Sequence, residues 1–295
     1  MTDVANSGGS NYQRIVESLD HLPALPAIVG KLIQVINSPE TSADDAAGVI
    51  AKDPALTSKM IRLANSAFYG MPRSVSSVSS AVVVLGFNTI KSLVLSSSVV
   101  KMFPAQAGHS RLDRYRFWRH SIVSAIAART LVRHFLHVRL MDPESAFCAG
   151  ILHDVGRLIF DYCTPVDFER VCVLAREQKC SLLESERAVL GIDHAAVGRL
   201  LADRWALPLE LEYAIVHHHA PQHADRVQEL VAIVHIGDCI AHSLDAALYP
   251  DEVPPVEWSQ AKDLLSLSEH DRSRILECVR AEIEKSDDFY AMISA

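Results

Sequence analysis

One stretch of the chain ends in two adjacent residues that could both bind a metal ion. An apolar helical run from Phe147 to Leu152 is followed by His153 and Asp154, with Gly156 two residues further on. Neighbouring residues of a helix point about 100° apart, yet an ion beside the helix end is within reach of both because the two side chains differ in length. A neutral imidazole and an ionised carboxylate are the usual ligands of a divalent metal that activates water. Taken alone, the pair also fits a helix C-terminus with a polar tail.

More histidines and a second aspartate recur in the second half, at positions that a core helix would fill with hydrocarbon. They are His120, His194, the run His217, His218 and His219, and Asp238. An unpartnered buried carboxylate is costly, and a shared metal would satisfy all of these groups at once. Each also has a separate interpretation: a hydrogen-bonded core histidine for His120, a first-turn surface residue for His194, a solvated helix end for the triple histidine, and a kink beside Gly237 for Asp238. Because these residues follow the order His, His-Asp, His-His, Asp across four helices, we give metal binding the same weight as the separate interpretations.

The composition limits the kinds of protein that this chain could be. The chain has 295 residues, of which 49% are hydrophobic and only 6% aromatic, which suits a core of packed helices filled by Ala, Leu, Val and Ile. The net charge of -8 does not favour nucleic acid as a partner, since a duplex-binding module normally shows a basic face. The mean hydropathy is +0.14.

Cysteines and apolar runs indicate the compartment. The six cysteines include no CxxC pair, and several fall in apolar helical runs, so we expect reduced thiols in a cytoplasmic protein. The first ten residues are polar and carry no signal-peptide core. No run approaches the roughly 18 apolar residues of a membrane span; the nearest, 81–103, is interrupted by Gly86, Asn88 and Lys91. We expect no membrane partner.

Helix signals run along the chain and no segment alternates convincingly with period two. Ser42 with Asp45, Ser181 with Glu184 and Ser268 with Asp271 resemble capping boxes. Asp53-Pro54 and Asp142-Pro143 predict further helix starts, Gly86 predicts a helix end, and Asn88 is expected to cap the helix after it. The pattern predicts an all-α protein in two lobes, with the Pro- and Gly-containing segment 104–110 as the boundary. We expect a disordered tail over 1–11, a first lobe over 12–104, a second lobe over 105–245, and a linker and helix over 246–295.

The order of polar residues resembles a known superfamily. His120, His153, Asp154 and Asp238 follow the pattern of HD metal-dependent phosphohydrolases, and His194, His218 and His219 are similar to the extra histidines of HD-GYP phosphodiesterases. In the first half, residues 50–56, 62–70 and 81–86 resemble the HDOD domain of bacterial signalling proteins. The stretches Trp118–Ser121 and Trp205–Pro208 fit the same domain, so that the resemblance spans residues 20–245.

This resemblance implies an HD-like helical bundle for the second lobe and leaves two functions open. HDOD domains are regarded as regulatory relatives of HD hydrolases, so the first expectation is a signal-transduction module that acts through a signalling protein partner. The second is a metal-dependent phosphohydrolase or phosphodiesterase acting on a nucleotide or cyclic dinucleotide. The implied ligands of one or two ions of Fe, Mn, Mg, Zn or Ni are His120, His153, Asp154, His194, His218, His219 and Asp238.

Within that set, Asp154 could bridge two ions, and a metal-bound water would attack phosphorus. Arg157 is the candidate for stabilising phosphate charge, with a surface salt bridge as the alternative. It stands where active phosphodiesterases usually have Lys, and Ala220–Ala224 lacks their GYP signature, which weighs against cyclic di-GMP hydrolysis. The first half offers no candidate catalytic residue. The chain also shows no receiver, kinase or GGDEF-like segment, so any input would come from another chain or a small molecule.

Overall fold

A computed structural model describes residues 7–19, 24–38, 40–71, 74–103, 112–135, 141–249, 252–254 and 257–286. Within these ranges the chain is helical, and the one β feature is an isolated parallel bridge between Ser181 and Val253. The predicted all-α class is therefore confirmed. The helices are α1 Ser7–Leu19, α2 Ala27–Ile36, α3 Ala43–Ile50, α4 Pro54–Ala64, α5 Val78–Leu85, α6 Phe87–Met102, α7 Arg114–His134, α8 Pro143–Leu152, α9 Val155–Cys163, α10 Pro165–Gln178, α11 Leu182–Leu190, α12 His194–Arg204, α13 Leu209–His217, α14 Gln228–Ser243 and α15 Glu269–Ile283, with 3-10 turns at Pro221–His223 and Trp258–Gln260.

Most helix starts follow the capping residues in the sequence. All three predicted capping boxes form, at the starts of α3, α11 and α15. Asp53 and Asp142 accept hydrogen bonds from first-turn amides of α4 and α8. The prediction that Asn88 caps α6 is wrong, because Gly86 occupies the N-cap. Gly86 has φ of 83°, a conformation that L residues disfavour, and this one residue ends α5 and begins α6.

The helices form two groups that share one core. Helices α2 to α6 pack on one another, and α7 lies between α8 and α14 at the centre of the second group. The groups meet where α6 packs on α8, and Ser92 donates a hydrogen bond to the Glu144 carbonyl at 3.1 Å there. Buried side chains from both groups belong to one hydrophobic cluster. The predicted boundary, 104–110, lies outside the described residues.

The first helix corrects two of the expected domain limits. Helix α1 begins at Ser7, inside the segment expected to be a disordered tail, and residues 1–6 lie outside the described part of the chain. It packs on α9, α11 and α12 of the second lobe rather than on the first lobe to which it was assigned. Ile15 is fully buried there, and Arg14 pairs with Asp167 at 3.3 Å. A short amphipathic helix carries no signal in its own sequence for which lobe it covers.

The hydropathy of the helices was also compared with that of a membrane span. No single helix in the described ranges combines the required length and apolar character. Helix α5 and the first part of α6 reach the threshold only as a pair, and they are bent by 114° at their junction.

Two glycines let helices of the second lobe touch through their backbones. A Cβ on Gly156 would lie 1.9 Å from the carbonyl oxygen of His194, and a Cβ on Gly237 would lie 2.6 Å from that of Ser124. No side chain fits at either separation. Because Gly156 follows Asp154 and Gly237 precedes Asp238, these contacts bring two carboxylates close to the histidine-bearing helices.

Candidate metal centre

The seven predicted ligands converge from six helices on one point of the second lobe. His120 lies within α7, His153 ends α8, Asp154 is the N-cap of α9 and His194 opens α12. His218 ends α13, with His219 next to it, and Asp238 lies within α14. The exposed fractions are 0% for His120, His153, His194 and His218, 1% for Asp154 and 2% for Asp238, whereas His219 is half-buried. The structure thus brings together every residue of the predicted set.

The side chains form two adjacent groups. Within each group, the ligand atoms all lie within 4.8 Å of one another. One group is Asp154, His194, His218 and His219; the other is His120, His153 and Asp238. Asp154 lies between them: its Oδ1 is 3.1 Å from His194 Nε2, and its Oδ2 is 3.7 Å from His120 Nε2. A carboxylate in this position could give one oxygen to each of two ions, and its bridging role stays a prediction.

The outer ring nitrogens are fixed by backbone carbonyls. His120 Nδ1 lies 3.0 Å from the Ala246 oxygen, His153 Nδ1 2.7 Å from the Gly150 oxygen, and His218 Nδ1 2.8 Å from the Ile215 oxygen. A carbonyl only accepts, so each Nδ1 carries the proton and donates it. Each Nε2 lone pair then points inward, which is the tautomer that binds metals.

Inside the centre, hydrogen-bond acceptors therefore face one another with no donor between them. The Nε2 atoms of His120 and His153, neither of which carries a proton, are 3.4 Å apart. The buried Oδ1 atom of Asp238 accepts no hydrogen bond within the described ranges. Opposed lone pairs and orphaned carboxylate oxygens are costly to bury, and a cation between them removes the cost. The donor set fits divalent ions that accept imidazole, such as Zn, Fe or Ni, better than it fits Mg.

Burial and neighbouring charges set the protonation of two ligands. Burial lowers the pKa of His153 to about 4, so its Nε2 is available at neutral pH. Burial and Arg157 also lower the pKa of His194, but the carboxylates of Glu186 and Asp154 outweigh them and raise it to about 9. A metal ion must therefore displace a proton from His194.

Glu186 is a ligand-positioning residue that the sequence did not reveal. It is fully buried in α11, and its Oε2 lies 2.5 Å from His194 Nδ1 and accepts the His194 backbone amide at 3.0 Å. A carboxylate behind a metal-binding histidine orients the ring and increases its basicity. In the sequence, Glu186 looks like any charged residue of an amphipathic helix.

Arg157 is buried rather than on the surface, so the alternative of a surface salt bridge is wrong. It is 1% exposed, its Nη1 contacts Asp154 Oδ2, and its Nε donates to Glu186 Oε1 at 3.1 Å. Burial opposes the charge of Arg157, but the two carboxylates raise its pKa above the ordinary value. Burial likewise disfavours ionised Asp154, yet Arg157 and the adjacent histidines hold the pKa of Asp154 well below its usual range. Nη2 makes no hydrogen bond in the described part of the chain, so a role on phosphate stays a prediction.

The segment after α14 also reaches the centre. We call residues 244–249, 252–254 and 257 the C-terminal strap. Its Ala246 oxygen accepts from His120, and its Glu257 oxygen lies 2.9 Å from Nε2 of His235, whose Nδ1 is 2.7 Å from the His218 oxygen. The Ala246 carbonyl is thus bonded directly to one candidate ligand, His120. The Glu257 carbonyl is connected to another, His218, through the ring of His235.

His242 is a second residue that sequence reasoning missed. Its Nε2 lies 3.4 Å from Asp238 Oδ1, and neither ring nitrogen has a hydrogen-bond partner among the residues described. The spacing of four residues from Asp238 places both side chains on one face of α14, and that periodicity was a usable signal. His217, by contrast, packs its ring 5.3 Å from that of Tyr213, outside the centre.

Comparison with known proteins gives the family. A family model described as HDOD domain matches residues 22–221, more than half of the chain. A crystal structure of an HDOD domain protein with unknown function from Geobacter sulfurreducens is 25% identical with a TM-score of 0.76, covering 97% of each chain. A Shewanella amazonensis protein named "Putative phosphohydrolase" is 26% identical with a TM-score of 0.74, covering 95% of this chain and 98% of that one.

A curated relative extends beyond the part that this chain matches. An "Uncharacterized protein" of Treponema pallidum is 23% identical over 241 residues, which are 81% of this chain and 46% of the relative. This chain therefore spans about half the length of that relative. Since the family model covers most of the sequence, the chain belongs to the HDOD domain family.

Proposed function

We propose that this protein is an HDOD-domain signalling protein whose state is set by a two-metal centre and is passed to a protein partner. The observation that supports it is the complete set of seven converging ligands in a buried site. The Nδ1 groups of His120, His153 and His218 hold backbone carbonyls, so an ion bound at their Nε2 atoms would restrain these carbonyls as well. Occupancy is thereby linked to helix ends and to the C-terminal strap.

The burial of the centre supports signalling over turnover. Six of the seven ligands are at most 2% exposed. The guanidinium beside Asp154, that of Arg157, is held by Asp154 and Glu186. A hydrolase needs an open coordination position and a substrate path. A sensor needs only that the ion enter and that its presence change a surface.

A metal-dependent phosphohydrolase is the second candidate, acting on a nucleotide or cyclic dinucleotide. Two observations favour it: Asp154 lies between two ligand groups, and one ligand, His219, is only half-buried. Bound ions would lower the pKa of a water ligand and polarise phosphate oxygens. In that chemistry Asp154 positions both ions, Glu186 orients His194, and Arg157 Nη2 donates to a phosphate oxygen.

Metal content tests the proposal first. The full chain is purified without added metal or chelator and compared with Asp154→Ala, His218→Ala and the matched control His217→Ala. We expect near-stoichiometric metal in the wild type and in His217→Ala, and its loss in the other two variants. A wild type that is empty and takes up no Fe, Mn or Zn contradicts the proposal.

Turnover separates the two candidates. Bis-p-nitrophenyl phosphate and a panel of nucleotides and cyclic dinucleotides are offered to the metal-loaded chain and to His153→Ala. Hydrolysis that is lost in His153→Ala supports the enzyme. A loaded but inactive protein whose strap differs between apo and loaded forms in hydrogen exchange supports the signalling function.

A further inference from the structure

His242 is a buried histidine that does not belong to the seven predicted ligands. It lies in α14, one turn after Asp238, and its side chain is 5% exposed. Neither Nδ1 nor Nε2 has a hydrogen-bond partner among the residues that the structure describes. A neutral imidazole has one donor and one acceptor, and burying both without partners costs free energy. Hydrogen bonds within the described chain therefore do not account for this side chain.

The distances around Asp238 match those between two ligands of one metal ion. Asp238 Oδ1 lies 3.2 Å from Nε2 of His120 and 3.4 Å from Nε2 of His242. Two atoms bound at about 2.0–2.1 Å to a tetrahedral ion lie about 3.3–3.4 Å apart. The ring centroid of His120 is 5.2 Å from that of His242 and 5.3 Å from that of His153. His242 is thus as close to His120 as the candidate ligand His153 is.

The group of His120, His153 and Asp238 has one residue fewer than a tetrahedral ion has ligands. Such an ion takes four ligands, and the group around His194 contains four residues. Asp154 Oδ2, which lies near the smaller group, is already paired with Arg157. His242 Nε2 makes no hydrogen bond in the described ranges and lies beside Asp238, so it can supply the missing ligand.

We propose that His242 is the fourth protein ligand of the ion at His120, His153 and Asp238, bound through Nε2. The proposal rests on the two-metal centre proposed for this chain. Four protein ligands leave a tetrahedral ion no position for water, as in structural zinc sites, whereas three leave one position open for catalysis. A fourth protein ligand therefore favours signalling over hydrolysis at this ion.

The His242 side of the group also has a route to solvent. A surface cavity of about 480 Å³ is lined by His242, Cys239, Glu257 and Trp258. The His242 side chain connects the edge of this cavity to Asp238. Both ring nitrogens are themselves buried, so the cavity would serve for entry of the ion and not for binding it. A metal site needs such an entry path as well as ligands.

Zn²⁺ titration of the full chain in competition with a chromophoric chelator tests the role of His242. His242→Phe keeps a ring without nitrogens, and His242→Gln keeps an N–H donor of similar reach but is a poor zinc ligand. His217→Phe is the matched control, since His217 packs against Tyr213 outside the centre. We expect two ions in the wild type and the control. Both His242 variants should bind one of the two ions about a hundredfold more weakly and leave the other unchanged.

Combined variants identify which ion His242 binds. His242→Gln together with His120→Ala should still bind one ion tightly, because both changes affect the same ion. His242→Gln together with His219→Ala should bind neither ion tightly. Circular dichroism checks that each variant is folded, and His242→Gln remains informative if His242→Phe does not fold.

Three results would overturn the role of His242 as a ligand. Wild-type affinity in His242→Phe means that the ring takes no part in binding. Affinity that is restored by His242→Gln means that His242 only donates a hydrogen bond to Asp238. Tighter binding in His242→Phe means that His242 is a counter-charge of Asp238 that competes with the ion. A wild type that binds no metal overturns the two-metal centre as well, whereas a loaded wild type with any of these three results overturns only the role of His242.

Discussion

The second lobe buries two clusters of ionisable side chains, and they are balanced in opposite ways. In the candidate metal centre, the Nε2 lone pairs of His120 and His153 face one another, and Asp238 Oδ1 lacks a donor among the described residues. In what we call the Arg129 cluster, a guanidinium lies 3.8 Å from the centroid of the Phe68 ring and pairs with Glu144 at 3.7 Å and Glu282 at 3.4 Å. The chain pairs opposite charges throughout the second cluster. In the first cluster Arg157 and His194 pair with Asp154 and Glu186, which leaves the neutral imidazoles and Asp238 Oδ1 as acceptors without donors. We infer from this contrast that the Arg129 cluster is structural, whereas the acceptors of the candidate metal centre are suited to a cation.

The largest expected effect is in the self-balanced cluster. Arg129→Met leaves Glu144 buried without its main counter-charge and should lower the free energy of unfolding by about 3–5 kcal/mol. Urea unfolding with and without chelator measures it, and the loss should be the same in both. The exposed control Arg116→Met should change stability by about 0.5 kcal/mol or less. A loss for Arg129→Met below about 1 kcal/mol would contradict the assignment of this cluster as structural.

Metal binding should produce the next largest effect, and only in the acceptor-rich cluster. At a free metal concentration about a hundred times Kd, the ion adds about 2.7 kcal/mol to the stability of the folded state. Thermal unfolding with Zn²⁺ or Mn²⁺ should show this gain in the wild type and His217→Ala but not in His218→Ala. An equal gain in all three proteins would mean that the ion binds elsewhere.

The pH dependence of metal affinity follows from His194. Its pKa of about 9 in the apoprotein means that the Nε2 proton competes with metal below that pH. Affinity should therefore rise with pH, by up to about tenfold per unit from this residue, and level off above about pH 9. Competition with a chromophoric chelator measures the slope.

Glu186→Gln provides the contrast for that slope. Removing the carboxylate lowers the pKa of His194, so the affinity of this variant should level off at a lower pH. His153, with a pKa of about 4, contributes no slope near neutrality. A wild-type affinity that stays flat between about pH 6 and about pH 9 would show that His194 is neutral without metal.

The smallest effect concerns the exposed edge of the Arg129 cluster. The Glu282 side chain is 22% exposed and also pairs with Lys285 at 2.8 Å. Partly solvated pairs contribute little, so Glu282→Gln should cost about 1 kcal/mol or less in urea unfolding. A cost as large as that of Arg129→Met would mean that Glu282, and not Glu144, is the essential partner.

The sequence predicted what depends on local chemistry. Capping boxes such as Ser181 with Glu184 are complete within four residues, and the HD-type order identified all seven side chains that converge. Apart from His242, which is four residues from Asp238, what it missed depends on contacts between separate helices. Glu186 reaches His194 across a helix boundary, α1 covers a lobe far along the chain, and Arg157 is buried because two carboxylates come to meet it. None of these contacts leaves a periodicity or a spacing in its own segment.

The C-terminal strap determines which fragment of this chain would keep the complete candidate metal centre. The matched family region ends at residue 221, yet Asp238 and the Ala246 carbonyl that holds His120 lie beyond it. A fragment trimmed to the family limits would lose one carboxylate ligand and leave the His120 ring without its anchor. The smallest portable unit for a chimera or a biosensor therefore extends through Glu257, where His235 joins the strap to His218. In this chain the residues that build the candidate metal centre extend beyond the matched family region.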